Sequence, residues 1–104
     1  MRSTSRFSGL TLCLVFKMIL HTFNQPGALK RNQRHIQPED AVLLLEDGVF
    51  DADLLNTIDC STRYALRRDL NARGLNETQD GATVIDDSEW VALAVRCERI
   101  VSWT

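Results

Sequence analysis

The sequence has no Cys-x-x-Cys pair, no G-x-x-x-x-G-K-[ST], no G-x-G-x-x-G and no G-x-S-x-G, and after Lys30 it contains no lysine at all. Each absence closes a class of function. Without the glycine-rich loops there is no phosphate cradle for a nucleotide, and without the serine elbow there is no hydrolase nucleophile of that type. The three cysteines, Cys13, Cys60 and Cys97, are an odd number at wide spacing. They argue against a disulfide framework and against a structural zinc site. Free thiols fit a reducing cytosol, so a cytoplasmic location is the expectation. The longest apolar run, Phe7 to Phe16, is well short of the roughly 20 residues a membrane span needs. No internal repeat or low-complexity tract is present.

What remains is a chain of 104 residues, enough for one domain with one core. Its formal charge of -2 is unevenly spread. Residues 1–17 hold Arg2, Arg6 and Lys17 and no acid, so residues 18–104 carry 12 - 3 = 9 basic and 14 acidic groups, a net of -5. Such a domain lacks the basic footprint of a direct nucleic-acid binder.

Residues 1–17 have the outline of a secretory leader, a positive start followed by an apolar stretch. Lys17 closes that stretch and no small-x-small cleavage site follows. We therefore expect Met18 to be the true start, with residues 1–17 an upstream translation or a disordered tail, and residues 18–104 to form the domain.

The centre of that domain is Ala41-Val42-Leu43-Leu44-Leu45, an apolar run without polar alternation that ends in Glu46-Asp47-Gly48. A run of this kind suits a strand covered on both faces, and Gly48 suits a tight turn after it. Strands are also expected at 18–22, 63–66, 83–85 and 100–103. Helices are expected at 28–36, at 49–56 with Phe50 and Leu54 aligned at i and i+4, and at 67–75 with Gly74 as a left-handed stop. A last helix starts at Asp86-Asp87-Ser88-Glu89, a capping-box pattern, and carries Trp90, Leu93, Ala94 and Cys97 on one face. Strands alternating with helices on short connections imply an α/β fold with a parallel sheet and right-handed crossovers.

The candidate site residues are few. Cys60, in Ile58-Asp59-Cys60-Ser61-Thr62-Arg63, would need exposure and a lowered pKa to act as a nucleophile or sulfur carrier. Arg63 would help, Asp59 would oppose, and an ordinary loop cysteine is the plainer reading. Cys97 reads as a small core hydrophobe. His21 is placed at the same sheet edge as Glu46 and Asp47, where a bond from its ring to a backbone group or to Asp47 would fix that edge. No nucleophile lies beside it for a general base to serve. His35, on a polar helix, reads as solvated. Glu46, Asp47, Asp51 and Asp53 suggest a metal or a phosphate-accepting site as in response-regulator receivers, but the late-strand lysine of receivers is missing. No metal and no cofactor are expected.

Five motifs in order carry a family resemblance: Met18-Ile-Leu-His-Thr, the Leu-Leu-Leu-Glu-Asp-Gly-Val of 43–49, the Tyr-Ala-Leu-Arg-Arg-Asp-Leu-Asn-Ala-Arg-Gly-Leu of 64–75, Val84-Ile-Asp86, and Ser102-Trp103. Together they resemble the DsrH/TusB family of sulfur-relay proteins. The resemblance implies a DsrEFH-like three-layer α/β/α fold with a five-stranded parallel sheet. It implies a hetero-oligomer with TusC/DsrF-like and TusD/DsrE-like subunits, commonly two copies of each, hence a hetero-hexamer. In the Tus branch such a complex passes persulfide sulfur to a TusE/DsrC-like carrier for 2-thiolation of the tRNA wobble uridine, and the sulfur-bearing cysteine belongs to the TusD-like subunit. In the Dsr branch it serves sulfur oxidation. DsrH proteins of sulfur oxidisers tend to carry a cysteine in the first helix, whereas none occurs here between Cys13 and Cys60. The TusB-like branch is thereby favoured, and Cys60 matches no family cysteine. On this reading the chain is an accessory subunit without direct contact to nucleic acid or membrane. The sheet edge bearing His21, Glu46 and Asp47, with Tyr64 and Arg73, is expected at or near a subunit contact.

Overall fold

The computed structural model describes residues 18–60, 62–76 and 82–104. The expectation for residues 1–17 lies outside the described residues. The five strands are β1 (Ile19–Phe23), β2 (Ala41–Leu44), β3 (Thr62–Leu66), β4 (Thr83–Ile85) and β5 (Arg99–Trp103). They form one parallel sheet in the order β4-β3-β2-β1-β5, with the apolar run of β2 at its middle. All four residues of β2 are buried, as a strand covered on both faces requires.

Helices cover the sheet unequally. One face carries Phe23, Val42, Leu44 and Ala65 from the strands, and against them pack Ala28 and Leu29 of α1 (Ala28–Asn32), Leu70 of α2 (Arg67–Ala72), and Val49, Ala52 and Leu55 of the long segment after β2. The opposite face carries Leu20, Ala41, Leu43, Leu66 and Ile85, and α3 (Asp87–Arg96) supplies Leu93 and the half-buried Trp90 to cover them. This is the three-layer arrangement expected, with three elements on one side and one helix on the other.

Several local details differ from the sequence reading. The segment after β2 is a 3-10 helix, Glu46–Thr57, rather than an α-helix over 49–56. Its buried residues Val49, Ala52 and Leu55, followed by Ile58, recur every three positions, the spacing at which side chains eclipse in a 3-10 helix. Phe50, aligned with Leu54 at i and i+4 in the sequence, is 49% exposed. The first helix is also shorter than expected, α1 giving way to a single 3-10 turn at Gln33–His35.

Gly48 closes the tight turn after β2, its N–H donating to the Leu45 carbonyl at 2.9 Å, but without a left-handed backbone. The positive φ after β2 belongs to Glu46 (φ 50), whereas a Cβ on Gly48 would lie 2.0 Å from the carbonyl oxygen of Phe23. Glycine is needed there because the 3-10 backbone presses against the end of β1. Gly74 does act as the left-handed stop of α2, with φ 68, and Leu75 N–H donates back to the Leu70 carbonyl at 2.9 Å. The capping box of α3 is complete, Asp86 and Glu89 each accepting the other's backbone N–H at 2.8 and 2.9 Å.

Candidate functional site

The residues singled out in the sequence do not share one edge of the sheet. They divide into an inner polar cluster, an ion-paired carboxyl edge, and a residue on the α3 face.

The inner cluster is centred on Asp40, the residue just before β2, which is 3% exposed. Its Oδ2 lies 2.9 Å from His21 Nε2 and accepts the Gln37 backbone N–H at 3.0 Å. His21 therefore meets Asp40 and not Asp47. The register explains this: His21 stands beside Val42, in the amino-terminal half of β2, while Asp47 lies beyond that strand's carboxyl end. On its other side His21 Nδ1 accepts the indole N–H of Trp103 at 3.0 Å. An indole nitrogen only donates, so Nδ1 must be the acceptor and the ring proton sits on Nε2, directed at Asp40. Both ring nitrogens are thus committed. His35, expected to be solvated, is exposed yet stacks on Trp103, with ring centroids 5.1 Å apart and planes 12° from parallel. Asp40 and Trp103 are functional candidates that the sequence does not reveal; the pairing of β2 with β1 brings Asp40 to His21 and that of β5 with β1 brings Trp103, and no spacing in the sequence shows either.

Cys60 belongs to the same cluster. Its thiol, 6% exposed, donates to the Asp40 carbonyl at 2.7 Å and to the Thr62 carbonyl at 3.3 Å. Burial pushes its pKa above the ordinary thiol value, with the charges of Asp40 and Asp59 acting the same way and a backbone hydrogen bond at Thr62 and the charge of Arg63 acting against them. A Cys, a His and an Asp thus meet around one residue, yet the arrangement does not form a nucleophile-base pair. The thiol points at carbonyls, and the histidine has no free nitrogen to take its proton. Arg63, the cation expected to activate the thiol, donates to the Leu55 carbonyl at 2.9 Å and so closes the end of the 3-10 segment. Cys97 is half-buried at the end of α3, and burial raises its pKa as well.

At the carboxyl edge, Asp47 accepts from Arg73 Nε at 2.8 Å. Arg73 also reaches Asp69, whose Oδ2 accepts the Glu46 backbone N–H at 2.7 Å. Asp69, 7% exposed, thereby holds the left-handed turn at Glu46 from its place on α2. Asp51 accepts the Gly27 N–H at 2.9 Å and ties the 3-10 segment to the start of α1. Among the described residues no three His, Cys, Asp or Glu side chains converge as a metal site would require. Tyr64 packs half-buried on the α3 face, away from His21.

Beside α3 and β5 lies an open groove of about 600 Å³, lined by Trp90, Val91, Ala94, Val95, Leu45 and Ile100, with Thr22, Asn24, Glu46 and Ser102 supplying its polar part. Thr22 and Ser102 are joined by a 3.1 Å hydroxyl hydrogen bond.

A family model described as DsrH like protein matches residues 24–100, from the end of β1 into β5. The chain belongs to the DsrH-like family. Proteins called TusB from Salmonella arizonae, Salmonella newport and Salmonella agona are each 36% identical to it over 77 residues, covering 67% of this chain and 81% of each relative. Membership of the DsrH-like family places the chain among sulfur-relay proteins. The match takes in Asp40, Glu46, Asp47, Cys60, Tyr64 and Arg73, while His21 and Trp103 fall outside the matched residues. No described helix is long and apolar enough to cross a membrane.

Proposed function

We propose that this chain is a TusB-like accessory subunit of a cytoplasmic sulfur relay, assembled with TusC/DsrF-like and TusD/DsrE-like subunits. In this role the complex passes persulfide sulfur to a TusE/DsrC-like carrier for 2-thiolation of the tRNA wobble uridine. This subunit contributes by assembly rather than by thiol chemistry. The observation that carries the reading, given the family, is the state of Cys60: a relay thiol must be reachable and readily ionised, and this one is neither. The net charge of -5 over residues 18–104 supports action through protein contacts rather than through a basic groove.

The competing reading makes Cys60 a persulfide carrier in its own right. Cys60→Ser, expressed in place of the wild-type chain, separates the two. Wobble-uridine thiolation measured by nucleoside mass spectrometry remains at wild-type level if the subunit is accessory, and disappears if Cys60 carries sulfur. A sulfur-oxidation role would leave thiolation unchanged even when the whole chain is deleted.

A further inference from the structure

We infer that the face built by α3 and β5 docks a neighbouring subunit, and that the occupant is a protein of different sequence presenting an apolar patch edged by arginine or lysine. The inference rests on the assembly role proposed above and assigns it to a surface.

The first observation is the unequal covering of the sheet. Among the described residues, three elements shield one face, while α3 alone lies over the other. That helix is apolar on both its inner and outer sides. Leu93 is 2% exposed, but Val91 and Val95, an i,i+4 pair, are 62% and 79% exposed. Ile100 of β5 is 46% exposed, and all three line the same groove with half-buried Trp90 and Ala94. A contiguous patch of this kind, rather than scattered single apolar residues, marks an interaction surface. Among the described residues the other large exposed apolar residue, Phe50, stands on the 3-10 segment away from this patch.

Charge selects the occupant. Among the described residues, Glu46 is the one charged residue that lines the groove, and its carboxylate has no ion-pair partner there. Asp86 and Glu89 at the start of α3, and Arg96 and Arg99 at its far end and the start of β5, are exposed but lie outside the groove's lining. A second copy would bring a second Glu46 and the same net charge of -5 over residues 18–104 toward this groove, which opposes approach. A partner with basic residues around an apolar patch gains both burial and electrostatic steering.

The test uses the full chain co-expressed with the DsrE-like and DsrF-like proteins of the same genome, read by native mass spectrometry and by affinity titration. Val95→Arg and Val91→Arg should each weaken assembly at least roughly 30-fold, the effect of removing a central apolar anchor, while circular dichroism stays native. Phe50→Arg should leave assembly unchanged. Glu46→Gln should slow association and flatten its salt dependence. If the wild-type chain assembles and both valine variants assemble equally well, the surface assignment is wrong while the accessory role stands. If the wild-type chain joins neither partner, both fall. If it forms a homodimer that the valine variants abolish, or if residues 1–17 prove to shield Val95 in the free chain, the occupant assigned here is wrong.

Discussion

Asp40 uses both of its polar groups across three strands. Its carboxylate holds His21 of β1 and its carbonyl accepts from Cys60 and from Thr62 at the start of β3. Removing one partner of a buried, hydrogen-bonded carboxylate costs more than removing a neutral donor at the rim. His21→Leu should therefore destabilise the fold by about 3 kcal/mol, and Trp103→Phe, which deletes one indole N–H, by about 1 kcal/mol, both measured by urea unfolding. Equal losses would show that the carboxylate is rescued by Gln37 or by water. Cys60 gives a second test at this scale. Its raised pKa means the native state holds the thiol proton more tightly than the unfolded chain does. The folded state then binds more protons through the thiol range, so stability from this group is intact below that range and falls as pH rises through it. Wild type should lose more stability between about pH 8 and 10 than Cys60→Ala does. In native protein, iodoacetamide should modify half-buried Cys97 before Cys60, with peptide mapping to separate both from Cys13. Prompt labelling of Cys60 would revive the sulfur-carrier reading.

Among the elements, those with a strong local signature were legible in advance and those set by long-range contact were not. β2 announced itself by an unbroken apolar run, and α3 by a capping box followed by apolar residues at helical spacing. The 3-10 segment was misread because Phe50 and Leu54 satisfy an α-helical spacing, although Val49, Ala52, Leu55 and Ile58 spell out a three-residue period beside it. Of the candidate site, the Asp47–Arg73 pair came together at the expected edge, but His21 did not. Its partner depends on strand register and on β5 joining β1, neither of which leaves a local trace. Gly48 closes the expected turn, but what demands glycine there is the close approach of β1. Because a Cβ there would meet backbone carbonyl atoms of Phe23 at 2.0 and 2.7 Å, the neighbour cannot yield by rotating a side chain. Gly48→Ala should cost about 3 kcal/mol by overpacking, with the junction of β1 and the 3-10 segment losing hydrogen-exchange protection first. A loss below about 1 kcal/mol would mean that the segment shifts freely against β1 and does not fix the carboxyl edge.

At the scale of the whole molecule, a domain this small has little core to spare, and its two faces are unequally equipped. The face under α1, the 3-10 segment and α2 is closed within the chain, whereas the α3 face leaves Val91, Val95 and Ile100 in water. A partner that binds the folded chain and not the unfolded one stabilises it by mass action, about 2.7 kcal/mol at a free concentration 100 times the dissociation constant. For a domain of this size that corresponds to a rise in melting temperature of roughly 10–20 °C. The gain should also be uneven in space. Hydrogen exchange of the free and assembled chain should show new protection concentrated in α3 and β5, with little change in α1 and the 3-10 segment, since burying Val91, Val95 and Ile100 restrains the elements that carry them. Protection spread evenly over the chain would mean that assembly stabilises the fold without using this face. Protection confined to the Asp47–Arg73 edge would instead move the subunit contact to the carboxyl ends of the strands, where Arg73 bridges Asp47 and Asp69.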